Sequence, residues 1–142
     1  MEPKLKVLAR ERTPYNDIYV IQNEVNRELW FKGNDDYYLQ SRVNVDKQKQ
    51  LALVYSNMLM ASLLFCPTPG RLLMIGLGGA AVTNFLSEWF PALHIDVVEI
   101  DKKVIEFSKK YFYLRESNRY RIFQEDGRMF TVSYTHLTLP TK

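Results

Sequence analysis

The apolar and polar residues in the first third of the chain alternate with the period of a β-strand. Between residues 15 and 45, short apolar runs such as 18–21 and 29–31 are separated by segments rich in Asn, Asp and Gly. These three residue types favour turns, because they tolerate unusual backbone angles or bond their own backbone. The pattern predicts a small antiparallel sheet, and we interpret residues 1–46 as an N-terminal β-strand region.

A helix is predicted next, because the apolar residues between positions 51 and 63 recur at three- and four-residue spacing. We expect Asp46 to cap this helix and its apolar face to be buried. Pro67 and Pro69 end it, since proline removes a backbone donor and disfavours a helical conformation in the residue before it.

From Arg71 onward the pattern changes to short apolar runs that alternate with helix-length segments. Strands are predicted at 72–75, 95–100 and 120–124, and helices at 80–90 and 102–112. Apolar runs of this kind are typical of parallel strands covered on both faces. Alternation of strand and helix predicts right-handed βαβ units, and therefore an α/β fold with a doubly wound parallel sheet.

Composition narrows the class of protein without naming a ligand. The 142 residues allow one domain, or a small domain and part of another. The net charge of +3 is too small to predict nucleic acid or a membrane surface as a partner. A single cysteine, Cys66, excludes an internal disulfide and makes a reducing cytoplasm the expected compartment. No metal site is predicted.

The last eleven residues, 132–142, show no period that continues what precedes them. They resemble the in-frame translation of a sequencing adaptor, and we set them aside as a non-native tail. Residues 47–131 are then interpreted as the first part of a Rossmann-like nucleoside-binding domain together with its leading helix. A genuine strand over 132–139 is the alternative.

A glycine-rich segment lies between the first predicted parallel strand and the helix after it. Gly76, Gly78 and Ala81 fit the pattern G-x-G-x-x-A, and Gly79 adds a further glycine. Glycines suit this place because the chain turns sharply and a ligand can approach the backbone. A tight turn without a ligand is the alternative interpretation.

Two acidic residues end the next two predicted strands. Glu99 lies twenty-three residues after Gly76, where an acid accepts hydrogen bonds from the ribose hydroxyls in nucleoside-binding folds. Asp126, followed by Gly127, is suited to an exocyclic amino group. An ion pair of Glu99 with a neighbouring lysine, and an ordinary Asp-Gly turn, are the alternatives. Because all these positions share the carboxyl edge of the sheet, they predict a nucleoside-type cofactor.

Three segments together resemble the spermidine synthase family of aminopropyltransferases: residues 73–79, 96–101 and 124–130. Upstream, Tyr15, Gln40 and Tyr55 stand where that family has a tyrosine, a glutamine and a tyrosine. The resemblance covers roughly residues 13 to 130. It separates the S-adenosylmethionine relatives from the dinucleotides, which the spacing of the glycines and the acid does not.

The resemblance implies a Rossmann-like sheet of the class I methyltransferase type, incomplete in this chain, behind a small antiparallel β-domain. It implies transfer of an aminopropyl group from decarboxylated S-adenosylmethionine to a diamine such as putrescine. Glu99 would contact the ribose, Asp126 the adenine and Gln40 the cofactor, while Tyr15 and Tyr55 would contact the substrate. The family's catalytic Asp would lie beyond this chain, so we expect the chain alone to be inactive. A homodimer of the full-length protein is a further expectation.

The sequence also departs from the family pattern. Gly79 takes the place of an Asp that handles the cofactor's amine, and Ser56 and Asn57 replace a His and a Glu. Two other functions therefore stay open: a methyltransferase that uses intact S-adenosylmethionine, and a nucleoside-binding module without catalysis.

Overall fold

The structure is a computed structural model, and it describes residues 5–134 of the chain. The first sheet is antiparallel and its strands follow chain order: β1 (Leu5–Arg12), β2 (Asp17–Asn23), β3 (Asn26–Lys32) and β4 (Tyr37–Asn44). The predicted antiparallel sheet is confirmed. Strand β1 precedes the predicted strands and was missed, because half of its residues are charged and most of them are exposed, so it shows no clear apolar alternation.

The inner face of this sheet is set by the register of β2 and β3. Val20 lies opposite Leu29 and Ile18 lies opposite Phe31. Ile18, Val20 and Leu29 are fully buried. Because successive side chains of a strand point to opposite faces, this register directs one face of the sheet to the core.

The second sheet is parallel, with the order β5 (Arg71–Ile75), β6 (His94–Glu99) and β7 (Tyr120–Gln124). Helices α2 (Ala81–Trp89) and α3 (Lys102–Tyr111) make the two crossovers, and α4 (Gly127–Tyr134) follows β7. The α/β fold class is therefore confirmed. In the part of the chain that the structure describes, β5 is an edge strand of this sheet.

The segment between the two sheets differs from its prediction. It holds a short helix, α1 (Val54–Leu59), and a 3₁₀ helix over Met60–Leu64. Asp46 does not cap it, because the residue before the helix is Leu53, which makes no side-chain cap. The apolar face is also exposed: Val54 is 77% and Met58 69% accessible.

Helix α3 lies between the two sheets and joins them. Val104, Ile105 and Phe107 are buried in the core cluster that both sheets share. At the end of the helix, the guanidinium of Arg27 on β3 donates to the carbonyl of Tyr111 over 2.8 Å. The N-terminal sheet is therefore fixed to the parallel sheet largely through this helix.

Helix α4 runs three residues into the segment that we set aside from residue 132 onward. Residues 135–142 of that segment lie outside the described residues, so its interpretation as a non-native tail stays a prediction. None of the helices within residues 5–134 is long and apolar enough to cross a membrane.

Candidate nucleoside-binding site

The loop between β5 and α2 has backbone angles that glycine adopts more readily than other residues. Gly76 and Gly78 have φ angles of +89° and +55°. Residues with a side chain rarely adopt this left-handed region, so two of the three predicted glycines are required by the backbone. Ala80, which precedes α2, also lies there with a φ of +57°.

Gly79 is required for a different reason, which is space. A Cβ atom added to it would lie 2.7 Å from Cβ of Ser41 on β4 and 3.0 Å from the ring of Phe112. Real Cβ atoms essentially never come as close to a neighbour as this one would to Ser41, so no side chain fits here without a shift of β4 or of the loop. The glycine that replaces the family's Asp is thus built into the packing of this chain.

Two buried hydroxyl groups hold the loop from behind. The hydroxyl of Ser108 on α3 donates to the carbonyl of Gly78 over 2.7 Å, and that of Thr83 on α2 donates to the carbonyl of Ala80 over 3.2 Å. Both residues are fully buried. The loop is therefore fixed by the helices on either side of it rather than by its own sequence alone.

A cavity of about 390 Å³ lies against the outer side of this loop. We call it the glycine-loop cavity. Tyr55 on α1 closes one side by donating its hydroxyl to the carbonyl of Gln40 over 2.8 Å. Burial raises the pKa of the Tyr55 hydroxyl, so it stays protonated as a donor. The lining consists of Gln40, Ser41, Tyr55, Leu59, Met74, Ile75, Gly76, Leu77, Gly78, Ala81 and Val82, and none of these carries a charge.

Glu99 lies at the end of β6, next to this loop, and is 9% exposed. One carboxylate oxygen accepts the amide of Leu77 over 2.9 Å, and the other accepts the amide of Asp101 over 2.9 Å. Each carboxylate oxygen can accept two hydrogen bonds, so both keep acceptor capacity. The alternative of an ion pair between Glu99 and Lys102 or Lys103 does not form in the structure, where Lys103 pairs with Glu106.

Asp101 connects the site to the N-terminal sheet. One carboxylate oxygen accepts the amide of Lys103 and so caps α3. The other accepts the hydroxyl of Thr13 over 2.6 Å and the side-chain amide of Asn16 over 3.2 Å. The turn between β1 and β2 is thereby held against the start of α3.

Tyr15 lies in that turn, away from the glycine-loop cavity. It lines a second cavity of about 400 Å³, which also contacts Ile100, Asp101 and Gln124. The two predicted substrate residues, Tyr15 and Tyr55, therefore line different cavities. Glu99 lines neither cavity itself, but the two amides that it accepts belong to Leu77, which lines the first cavity, and to Asp101, which lines the second.

Asp126 and Gly127 follow β7. One carboxylate oxygen of Asp126 accepts the amides of Arg128 and Met129 over 2.8 and 3.2 Å, which makes Asp126 the cap of α4. A Cβ atom on Gly127 would lie 2.4 Å from the side chain of Ile75 at the end of β5. Gly127 therefore lets α4 approach the end of the first parallel strand closely.

Backbone hydrogen bonds bring the predicted positions to one edge of the sheet. The amide of Gly76 donates to the carbonyl of Val98 over 2.8 Å, and the amide of Glu125 donates to the carbonyl of Glu99 over 3.2 Å. The ends of all three parallel strands are thus adjacent. Sequence reasoning missed the supporting residues Ser41, Asp101 and Ser108. Asp101, directly before a predicted helix, could have been found from its capping position.

Comparison with known proteins assigns the chain to a family. Residues 52–139 match the spermine/spermidine synthase domain. The chain belongs to the spermine/spermidine synthase family. This confirms the resemblance read from the glycine loop and the acids at the strand ends.

One curated relative is the polyamine aminopropyltransferase of Vibrio vulnificus, which is 35% identical over 125 residues. The match covers 87% of this chain and 42% of that protein, so the chain spans less than half the length of this relative.

Two solved structures are similar to this chain. One is a spermidine synthase in complex with the transition state analogue AdoDATO, with a TM-score of 0.67 and 19% identity over 90% of this chain and 43% of the other. The second is human methyltransferase-like protein 13 in complex with SAH, with a TM-score of 0.56 and 27% identity. That match covers 63% of this chain and 43% of the human protein chain.

Proposed function

We propose that this chain is the donor-binding part of an enzyme that transfers an aminopropyl group from decarboxylated S-adenosylmethionine to a diamine such as putrescine. The family, and a relative named as a polyamine aminopropyltransferase, support this reaction. The observation that carries the proposal is the carboxylate of Glu99, which accepts one amide from the glycine loop and one from the start of α3 and keeps acceptor capacity on both oxygens.

The donor would lie along the carboxyl edge of the parallel sheet. The ribose hydroxyls would donate to Glu99, whose position is fixed by the two amides that it accepts. The adenine would extend toward the end of β7 and Asp126, and the three-carbon tail would enter the glycine-loop cavity near Gln40. Tyr55 would contact the acceptor on that side, and Tyr15 would act from the second cavity.

The reaction is a displacement at the carbon next to the sulfonium. A neutral amine nitrogen of the acceptor forms the new N–C bond, the C–S bond breaks, and 5′-methylthioadenosine leaves with the electron pair on sulfur. The attacking amine loses one proton, which a general base accepts. Because no carboxylate lines the glycine-loop cavity in the described residues, we propose that the base comes from another part of the full-length protein. Among residues 5–134, no group of three or more His, Cys, Asp or Glu could hold a metal ion.

Titration calorimetry on the full-length protein tests the assignment of Glu99. We expect Glu99→Gln to weaken binding of decarboxylated S-adenosylmethionine by about 10- to 100-fold, because the neutral amide loses charge-assisted hydrogen bonds to the ribose. The matched control is Glu125→Gln, which changes a neighbouring exposed acid. Unchanged binding by Glu99→Gln, in a variant that circular dichroism shows to be folded, would contradict the proposal.

A second candidate is transfer of a methyl group from intact S-adenosylmethionine. The observation that favours it is the 27% identity to human methyltransferase-like protein 13, whose structure holds SAH. The two reactions leave different nucleosides, 5′-methylthioadenosine and S-adenosylhomocysteine. Mass spectrometry of reactions supplied with each donor in turn therefore separates them, and methylthioadenosine formed from the decarboxylated donor with putrescine is the result that we expect.

For the whole protein we propose a cytoplasmic location, since the one cysteine of this chain, Cys66, is a free thiol. We also propose a homodimer. Light scattering of the full-length protein measures the second of these directly, and a monomer at all concentrations would contradict it.

A further inference from the structure

Asp101 makes more hydrogen bonds than a helix cap requires. One carboxylate oxygen accepts the amide of Lys103 over 3.0 Å, and this bond is enough to cap α3. Asp126 caps α4 in the same way, with one oxygen, at an exposed position. The other oxygen of Asp101 faces the N-terminal sheet, and the residue is only 2% exposed. This second oxygen therefore has a role that capping does not explain.

The second oxygen of Asp101 holds the turn between β1 and β2, residues 13–16, which we call the β1–β2 turn. The hydroxyl of Thr13 donates to it over 2.6 Å, and the side-chain amide of Asn16 donates to it over 3.2 Å. The same hydroxyl oxygen accepts the backbone amides of Tyr15 and Asn16 over 3.2 and 3.0 Å. The turn is thus one hydrogen-bonded unit that is tied to a single carboxylate oxygen.

A buried carboxylate is costly when no cation neutralises it. In the described part of the chain Asp101 forms no ion pair, and Lys103 pairs with Glu106 instead. Hydrogen bonds from a backbone amide, a hydroxyl and a side-chain amide hold the charge of Asp101. An acid retained at such a cost is typical of places where geometry serves function.

Asp101 also fixes the predicted ribose acceptor. Its backbone amide donates to one carboxylate oxygen of Glu99 over 2.9 Å, and the amide of Leu77 in the glycine loop donates to the other. The amide and the carboxylate of Asp101 belong to one residue. A shift of the start of α3 relative to the β1–β2 turn would therefore move the amide that holds Glu99.

We propose that Asp101 is a positioning residue, which aligns the carboxylate of Glu99 with the ribose hydroxyls of the donor by anchoring the start of α3 to the β1–β2 turn. This inference rests on the proposed function, because it takes Glu99 as the ribose acceptor. Hydrogen bonds to a charged acceptor depend on its being held in the right geometry before the ligand arrives. Asp101 should therefore control how well the protein distinguishes nucleosides with ribose hydroxyls from nucleosides without them.

The test compares 5′-methylthioadenosine with its 2′,3′-dideoxy analogue, which lacks both ribose hydroxyls and cannot donate to Glu99. Calorimetry on the full-length protein gives the ratio of the two dissociation constants, which we call the ribose ratio. In the unmodified protein, 5′-methylthioadenosine should bind about tenfold or more tightly than the analogue. Asp101→Asn should reduce the ribose ratio by about fivefold and change binding of the analogue by less than about twofold. A merely structural loss would weaken both nucleosides alike.

A reciprocal exchange with Asn16 tests the mechanism directly. Asp101→Asn alone removes the acceptor of the Asn16 side-chain amide, and Asn16→Asp alone brings two carboxylates together. Combining the two substitutions restores one donor and one acceptor with their roles exchanged, so the ribose ratio should return to within about twofold of its original value. Thr13→Val removes the hydroxyl that donates to Asp101 and should also lower the ratio. It serves as a further variant if Asp101→Asn is unstable.

The matched control is Asp17→Asn, which changes another acid beside the same turn. Asp17 pairs with Arg10 on β1 over 3.0 Å and makes no hydrogen bond to Asp101, so the ribose ratio should stay within about twofold. An unchanged ribose ratio in Asp101→Asn, an equal loss for both nucleosides, or a loss that the exchange does not restore would overturn the inference. If the unmodified protein bound both nucleosides equally, the proposed role of Glu99 would itself fail.

Discussion

Helices α1 and α3 carry the same kind of apolar spacing and meet opposite surroundings. The apolar residues of α3 lie between two sheets, and Phe107 is 9% exposed. Those of α1 and the 3₁₀ helix after it are exposed or half-buried, and Phe65, which follows the 3₁₀ helix, is 90% exposed. The spacing determines which face of a helix is apolar, whereas distant parts of the chain determine whether that face is covered.

The largest expected effect comes from truncating one phenylalanine in each region. Phe107→Ala should lower the free energy of unfolding by about 3 to 4 kcal/mol, because it removes a buried ring and leaves a cavity. Phe65→Ala is the matched control, and it should change the free energy by less than about 0.5 kcal/mol. Urea unfolding measures both. A large loss for Phe65→Ala would show that the face of α1 is covered in solution.

The next comparison is between two helix caps: Asp101, the buried cap of α3, and Asp126, the exposed cap of α4. Asp101→Ala should cost about 3 kcal/mol, since it removes the shared partner of Thr13, Asn16 and the amide of Lys103, all of which are half-buried. Asp126→Ala, at the exposed cap of α4, should cost about 1 kcal/mol. Equal losses in thermal unfolding would refute the connecting role of Asp101.

The glycine loop joins the comparison because it packs against the end of α3. Gly79→Ala should cost about 2 kcal/mol, since its Cβ would overlap Ser41 and press on Phe112. Gly70→Ala, where nothing lies within 4 Å of an added Cβ, should be nearly neutral. In the double variant Ser41→Gly with Gly79→Ala, part of the loss should be recovered, and strictly additive losses would contradict the packing argument.

The smallest effect is expected from adding to α1 an N-terminal side-chain cap, which α3 already has in Asp101. Leu53 stands before α1 in an extended conformation and makes no side-chain cap. Leu53→Ser should raise the free energy of unfolding by about 0.5 kcal/mol, because serine can accept an orphan amide of the first turn. A loss in urea unfolding would show that the Leu53 side chain contributes more by packing than a cap does.

The parallel sheet could be predicted from sequence because its signals are local. Each strand is a short apolar run, and the predicted bounds of β7 agree with the structure while those of β5 and β6 differ by one residue at one end or at both. The glycines of the loop and Glu99 at the end of β6 could be predicted from local sequence patterns as well. Strand β1 was not predictable in this way, because it has no local apolar pattern. Its extended conformation depends on its pairing with β2.

The supporting residues of the site required the three-dimensional structure. Ser41 and Gly79 are 38 positions apart in the chain, and no local pattern in either segment predicts that they pack against each other. Thr13 and Asp101 are similarly separated by 88 positions. Contacts of this kind depend on how two sheets are placed around α3, and a single sequence does not encode that placement in any local pattern.

The two ties of α3 to the N-terminal sheet have a consequence for how the molecule opens. Asp101 holds the first turn of the helix, and Arg27 holds the carbonyl of its last residue, Tyr111. Separating the sheets would break the hydrogen bonds at both ends of α3 and expose the core around Val104 to water. In hydrogen–deuterium exchange, the amides of β2, β3 and α3 should therefore share one rate of deep protection and become labelled as a single cooperative unit.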